Sequence, residues 1–459
     1  MNKTSKEEIC LFQKINFSDK RILSNSSRFI HTRIIFLFFS LLFVLKLTSC
    51  NTTEPPIIPP PPPVVKDTIT VTVESFTHRS VTLKVTSTAN SKNSSVRLIR
   101  ELNGITTTVT EYSILVKDTT IIDDDNGAGL LLDTTYTYFA VRVDSLGQLK
   151  DTSNIVTQKT LAPTSHNYTW LEFTIGDAGF SNALYDVWGT DENNVWAVGT
   201  VMINDTAYGV LKWNGTDWKP TLRRGGYNSI YGFANDDIWA VGNVIYHFDG
   251  TNWSENRNQV LNDNIPYTSI WGTSSSNLYL GNAWGKIIHW DGSKASVVYE
   301  NSNSIPITDI YGLSRNFILA TGGSSTPPSV MVKFQNQTWF EITGLADFKL
   351  YYTSFPLSQN EYYVAGENIM RYWNSSWIRV VADTISVINR IRGNISNGEI
   401  VAVGHNSTIL HFNGLDWYRF NIPAIGFDPL QSVYLTNNKI FVVGLQDSQA
   451  KILIGTKTK

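Results

Sequence analysis

Arg390 and Arg392 sit two residues apart in the hexapeptide INRIRG, and Asp186 and Asp309 occupy related hexapeptides, YDVWGT and TDIYGL. A guanidinium presents a planar fork of donors suited to carboxylates. A hydrolase acting on acidic sugars would need several such arginines together with a nucleophile and an acid. Only these two arginines fall in the column, both from one segment. G-x-S-x-G, H-E-x-x-H and a phosphate-binding glycine loop are absent from the sequence. His247, His289 and His411 recur at one phase, where other segments carry Lys212, Lys333 and Arg371. Exchange among His, Lys and Arg predicts solvent-facing positions on separate elements rather than a metal site. The run DDDNG (123–127) offers hard oxygen ligands but not the alternating spacing of a calcium loop, and reads as a solvated turn. No catalytic residue, metal or cofactor is therefore expected. Candidate binding residues are those that packing does not ask for: Arg223, Arg224, Trp284, Arg390 and Arg392.

The elements that must position these residues are repeats. All fourteen tryptophans lie at or after Trp170. A glycine closes an "AVG"-like phrase at Gly199, Gly242, Gly281, Gly322, Gly366, Gly404 and Gly444. A β-rich period of about forty residues predicts blades of four strands each. The first strand reads YDVWGT, NSIYGF or TSIWGT; the second NVWAVG or DIWAVG; the third GVLKWNG or KIIHWDG; the fourth opens at the Trp of TDW or TNW. Trp188 and Trp196 then lie on adjacent strands of one blade. The seventh unit stops at Gly455 without a fourth strand, and Trp170–Ile175 is expected to supply it, removing an exposed edge. Arg392 replaces the aromatic of the other first strands. Arg223, Arg224 and Trp284 fall in loops on one face, with the insertions TVMINDTAYG after Gly199 and GSSTPPS after Gly322, and that face is the expected binding face. These repeats resemble bacterial extracytoplasmic propellers, with distant similarity to Kelch and Asp-box repeats.

Residues 67–163 alternate apolar and polar positions, as in ITVTV and VTLKV, with turns about every ten residues. That pattern predicts a β-sandwich. Leu130, Thr134 and Tyr136, with Leu132 where proline is usual, resemble the L-x-P-x-T-x-Y signature of fibronectin type III domains. The resemblance implies a spacer in which the Tyr136 hydroxyl returns to upstream backbone.

The N-terminus reads as an address. Basic residues precede the apolar stretch Ile34–Leu45, which is too short to span a bilayer and fits a signal peptide. Leu47-Thr48-Ser49-Cys50 resembles the bacterial lipobox, which implies lipidation at Cys50 and export to a membrane, the outer membrane or cell surface. Seven prolines from Pro55 to Pro63 favour an extended spacer. The expected organisation is all-β: 1–49 signal peptide, 50–66 lipidated cysteine and proline-rich linker, 67–163 fibronectin-like sandwich, and 168–459 seven-bladed β-propeller.

Charged residues are 17% of the chain and net charge is −2. That excludes a nucleic-acid footprint. The chain is expected to be a monomeric, membrane-anchored binding protein that engages a protein or a glycan without catalysis. A scaffold within an envelope assembly is the alternative, and a glycan hydrolase or lyase the second alternative.

Overall fold

The computed structural model describes residues 68–458 apart from 89–92, 257–263, 324–328, 344, 346–349, 374, 382–385 and 423–428. Cys50, the apolar N-terminal stretch, the proline run and most of the GSSTPPS segment lie outside the described residues. Every described element is a strand.

Ile69–Lys159 forms a three-stranded and a five-stranded antiparallel sheet. Val81–Ser87 alternates buried and half-buried residues along its whole length, the period-two signature of a strand with one face inward. Val71, Leu83 and Val85 of the smaller sheet share one core with Val96, Leu98, Tyr138 and Ala140 of the larger. The Tyr136 hydroxyl accepts the Leu131 amide at 2.9 Å. The 123–127 run departs from a solvated turn. Asp123 is buried, accepting from Arg100 Nη1 at 2.9 Å and from the Tyr138 hydroxyl at 2.9 Å, while Asp125 accepts Arg100 Nη2 at 2.7 Å. One guanidinium reaching across from the larger sheet pairs with two of the three carboxylates. Its position could not be read from the local sequence.

Residues 168–457 form seven four-stranded antiparallel sheets. Their first strands are Ala183–Asp191, Tyr227–Ala234, Tyr267–Ser274, Ile307–Ser314, Tyr351–Pro356, Ile388–Asn394 and Leu430–Leu435. Each first strand packs against the next, and the seventh packs against the first, an arrangement consistent with a β-propeller. The last sheet takes its outer strand from the start of the region. Tyr168–Ile175 pairs with Gln449–Lys457, Trp170 opposite Gly455 and Phe173 opposite Ile452.

Two kinds of glycine make this packing fit. At the end of most second strands the chain runs against the entry to the first strand: a Cβ on Gly199 would come within 2.1 Å of the Ala183 carbonyl oxygen, and one on Gly404 within 2.0 Å of that of Val387. Within the first strands, a glycine accepts the ring of the preceding sheet. A Cβ on Gly232 would meet Trp188 at 2.8 Å, one on Gly312 would meet Trp271 at 2.6 Å, and one on Gly393 would meet Phe355 at 2.4 Å. The seventh sheet treats the first alike, with Tyr434 2.9 Å from such a Cβ on Gly189.

The TVMINDTAYG segment is not a free loop. It prolongs the second and third strands into a hairpin, Val201 opposite Tyr208 and Ile203 opposite Thr206. Asn204 and Asp205 both take positive φ at its tip, the requirement of a tight primed turn.

Candidate functional site: an aromatic-walled pocket where the first strands meet

One column of the first strands holds Trp188, Tyr231, Trp271, Tyr311, Phe355, Arg392 and Tyr434. Trp188, Trp271, Phe355 and Tyr434 each lie over a glycine of the next sheet. The sheet after Arg392 has Leu435 at that position. The arginine instead turns inward, its guanidinium 4.6 Å from the centre of the Tyr311 ring.

Beneath the rings lies a polar layer. Arg392 holds Asp309 with both fork nitrogens, Nη1 to Oδ2 at 2.9 Å and Nη2 to Oδ1 at 2.6 Å. Arg390 adds Nη1 to Oδ1 at 2.7 Å, and the Thr353 hydroxyl and Ser354 amide donate to Oδ2 at 2.7 and 3.1 Å. Asp309 is 1% exposed. Burial alone would raise its pKa, but Arg392 and Arg390 overcome that and hold it at about 2. Asp186 makes the second node, accepting the Ser229 and Ser432 hydroxyls, each at 2.6 Å, and the Ile230 amide at 3.1 Å. These bonds tie the first sheet to both the second and the seventh.

Above this layer opens a pocket of about 280 Å³, lined from six of the seven first strands and by Asn394, Ile395 and Ser396. Burial raises the pKa of the Tyr231, Tyr311 and Tyr434 phenols, so they stay protonated and can donate hydrogen bonds. The pocket thus offers flat apolar walls, phenolic and amide groups, and a guanidinium whose charge is balanced by Asp309.

The structure brings Arg390 and Arg392 together and separates them from the other candidates. Arg223 and Arg224 are exposed where the chain enters the second sheet's first strand; Arg224 has φ 82° and donates its amide to Ala207 at 2.9 Å. Trp284 is exposed in the turn after Asn277–Asn282. Arg223 and Arg224 precede the start of a first strand and Trp284 follows the end of a second strand, whereas Trp188 and Arg392 lie toward the ends of first strands. The pocket opens beside the short turns between first and second strands, on the face opposite the one expected to bind. Asp186 and Asp309 were visible as a polar column in the sequence. The tyrosine wall was not singled out, because each ring also reads as packing between sheets.

The histidine column is not solvent-facing. His247 stacks on Trp239 at 4.2 Å and His289 on Tyr279 at 4.6 Å. His411 is fully buried, its Nδ1 2.8 Å from Nδ1 of His166. His247 and His289 are drawn against second-strand rings and His411 against Phe420, on three different sheets. Among the described residues no group of three or more His, Cys, Asp or Glu is placed to hold a metal ion.

No protein-family model matches the chain, and no curated protein matches it. Among solved structures it is similar to YCF48 from Cyanidioschyzon merolae, at 13% identity and a TM-score of 0.43, over 62% of this chain and 98% of that one.

Proposed function

We propose that the protein is a lipid-anchored, exported binding protein, built from a fibronectin type III-like spacer and a seven-bladed propeller, that engages a protein or glycan without chemical turnover. The observation carrying the binding reading is the commitment of both axial arginines to Asp309 beneath an aromatic-walled pocket. Recognition of an anionic substrate would need a free guanidinium there, and acid–base chemistry an unpaired carboxyl; the geometry instead favours holding a ring or chain end. The Tyr136–Leu131 bond supports the fibronectin-like reading. The lipid anchor rests on the residues around Cys50.

Two measurements test this. Labelling the expressed full chain with a clickable fatty acid should mark the membrane fraction and lose the mark in Cys50→Ala; equal labelling of the variant would remove the anchor. Photo-crosslinking from the position of Tyr434 on intact cells should capture a partner or glycan. Turnover of an array of glycans, reduced in Asp309→Asn, would contradict the non-catalytic reading. Recovery of membrane β-barrels alone would point to a scaffold role.

A further inference from the structure

The turn between the first and second strands of the sixth sheet is longer than those of the first four. There the last ladder pair leaves two residues in the turn: Asp191 faces Asn194, Ala234 faces Asp237, Ser274 faces Asn277 and Ser314 faces Phe317. In the sixth sheet Asn394 faces Glu399, which leaves residues 395–398. Asn394, Ile395 and Ser396 form one wall of the axial pocket. This wall is pinned at its pocket end. Asn394 Nδ2 donates to Asn437 Oδ1 in the corresponding turn of the seventh sheet at 2.8 Å. The Ser396 amide and hydroxyl donate to Asn394 Oδ1 at 3.0 and 2.6 Å.

The other end of the turn is held by the sandwich. Gly398, at φ 68°, donates its amide to the Asn394 carbonyl at 2.8 Å. It lies against the His78 imidazole: a Cβ on Gly398 would come within 2.2 Å of that ring. The same ring, 3% exposed, is wedged against Gly414 in the turn between the third and fourth strands of this sheet, where a Cβ would meet it at 1.9 Å. The turn that carries His78 is stiff. The Thr77 hydroxyl accepts the Arg79 and Ser80 amides, each at 3.1 Å, and the Thr77 amide donates to the Ser80 carbonyl at 2.9 Å. The Leu161 amide donates to the Thr77 carbonyl at 3.1 Å. Further along, the Thr164 amide donates to the Asn413 carbonyl at 2.8 Å, and Asn413 Nδ2 returns to the Thr164 carbonyl at 3.0 Å. These bonds fix the sandwich on the sixth sheet.

A short turn fastened at both ends keeps one shape, and released at one end it regains conformational freedom. Asn397 is tied within the sheet, its Nδ2 donating to Glu399 Oε2 at 2.7 Å, so the share that depends on the sandwich falls at Gly398. We propose that His78 is a positioning residue through which the sandwich sets the wall of the axial pocket, beyond any role as a spacer. The consequence for binding rests on the axial pocket being the binding site, whereas the contact itself does not. A positive charge on His78 would undo the contact. Arg79 of its own turn and Arg371 of the fifth sheet, the latter paired with Glu361, oppose that charge, and Glu399 of the sixth sheet favours it. Burial, the largest influence, brings the pKa down to about 4, so the ring is neutral at pH 7.

Amide hydrogen exchange of the full-length chain in detergent, read by mass spectrometry on the peptides 393–400 and 232–238, tests this without a ligand. The second peptide spans the equivalent turn of the second sheet and serves as the control. At pH 7, His78→Ala should speed exchange in 393–400 by about tenfold or more and leave 232–238 unchanged. His78→Gln, which occupies the space and carries no charge at any pH, should keep most of the protection. At pH 4, with rates corrected for intrinsic exchange, the wild-type wall should exchange about threefold faster or more, and that of His78→Gln should not. Unchanged exchange in His78→Ala, an equal rise in both turns, or an acid response in His78→Gln equal to that of the wild type would overturn the proposal. The exchange result does not depend on what the pocket binds, so a failure of the binding reading leaves it standing.

Discussion

Asp309 is where the molecule concentrates its buried charge. Two guanidiniums, one hydroxyl and one amide converge on its carboxylate. Removing one partner of a buried pair costs more than the pair contributes, because the other is left uncompensated. Asp309→Ala strands both arginines and should lower stability by about 3–5 kcal/mol. Arg392→Leu leaves the carboxylate with Arg390, Thr353 and Ser354, and should cost less, about 1–3 kcal/mol. Urea denaturation checks both: the midpoint should fall in that order at unchanged slope. Equal losses would mean that Arg392, rather than the carboxylate, is the centre of the cluster.

At the scale of the element, the ring-over-glycine contact is the unit that repeats. Gly393 receives the Phe355 ring so closely that a methyl would have to displace it. Gly393→Ala should destabilise by about 1–3 kcal/mol through overpacking. Gly104→Ala, in an open turn of the sandwich where a Cβ meets nothing, should lose only the smaller cost of positive φ. Thermal melts of the two variants distinguish packing from backbone conformation. Much of this architecture was legible in the sequence because glycine and tryptophan recur at a fixed step, and a single sheet must bury both faces. The missing outer strand of the last unit pointed to Trp170–Ile175 for the same reason. What could not be read was direction. Arg392 and Asp309 are far apart in the chain, and only the fold brings the guanidinium onto the carboxylate. The 200–209 segment looked like an insertion because its length exceeds the repeat; the paired positive-φ residues Asn204 and Asp205 turn it back into strand. His411 read as exposed from the residues that replace it elsewhere, yet its own sheet buries it against Phe420 and His166.

For the whole molecule, acid should act in two stages. Burial lowers the pKa of His78, to about 4, and that of His411, below their ordinary 6.5. A histidine depressed in the folded state contributes stability that is complete above pH 6.5 and is lost as pH falls toward the folded value. The His78 share is at most about 3 kcal/mol. Against the effect of burial, Asp309 is held at about 2 by Arg392 and Arg390 and Glu399 at about 2 by hydrogen bonds from His411 and Lys457, and both lose their contribution only below about pH 4. Glu361 and Asp123, raised by burial, work in the opposite direction, gaining stability as pH falls, and flatten the curve between the two stages. Melts from pH 8 to pH 3 should show a first decline between pH 6.5 and 4 that is smaller in His78→Phe; an unchanged decline would place the titrating group elsewhere.

The whole account depends on the ring being closed by a strand from its own beginning. Thr174 lies opposite Lys451 across that closure, with Lys451 Nζ donating to the Thr174 hydroxyl at 2.7 Å. The chain has only Cys10 and Cys50, so a new pair reports without interference once both are replaced by serine. In that background, Thr174→Cys with Lys451→Cys should oxidise to an intramolecular disulfide that speeds migration on a non-reducing gel, since directly opposed strand residues bring Cβ atoms to about 4.5–5.5 Å. Free thiols under the same oxidation, or disulfides only between molecules, would contradict the closure.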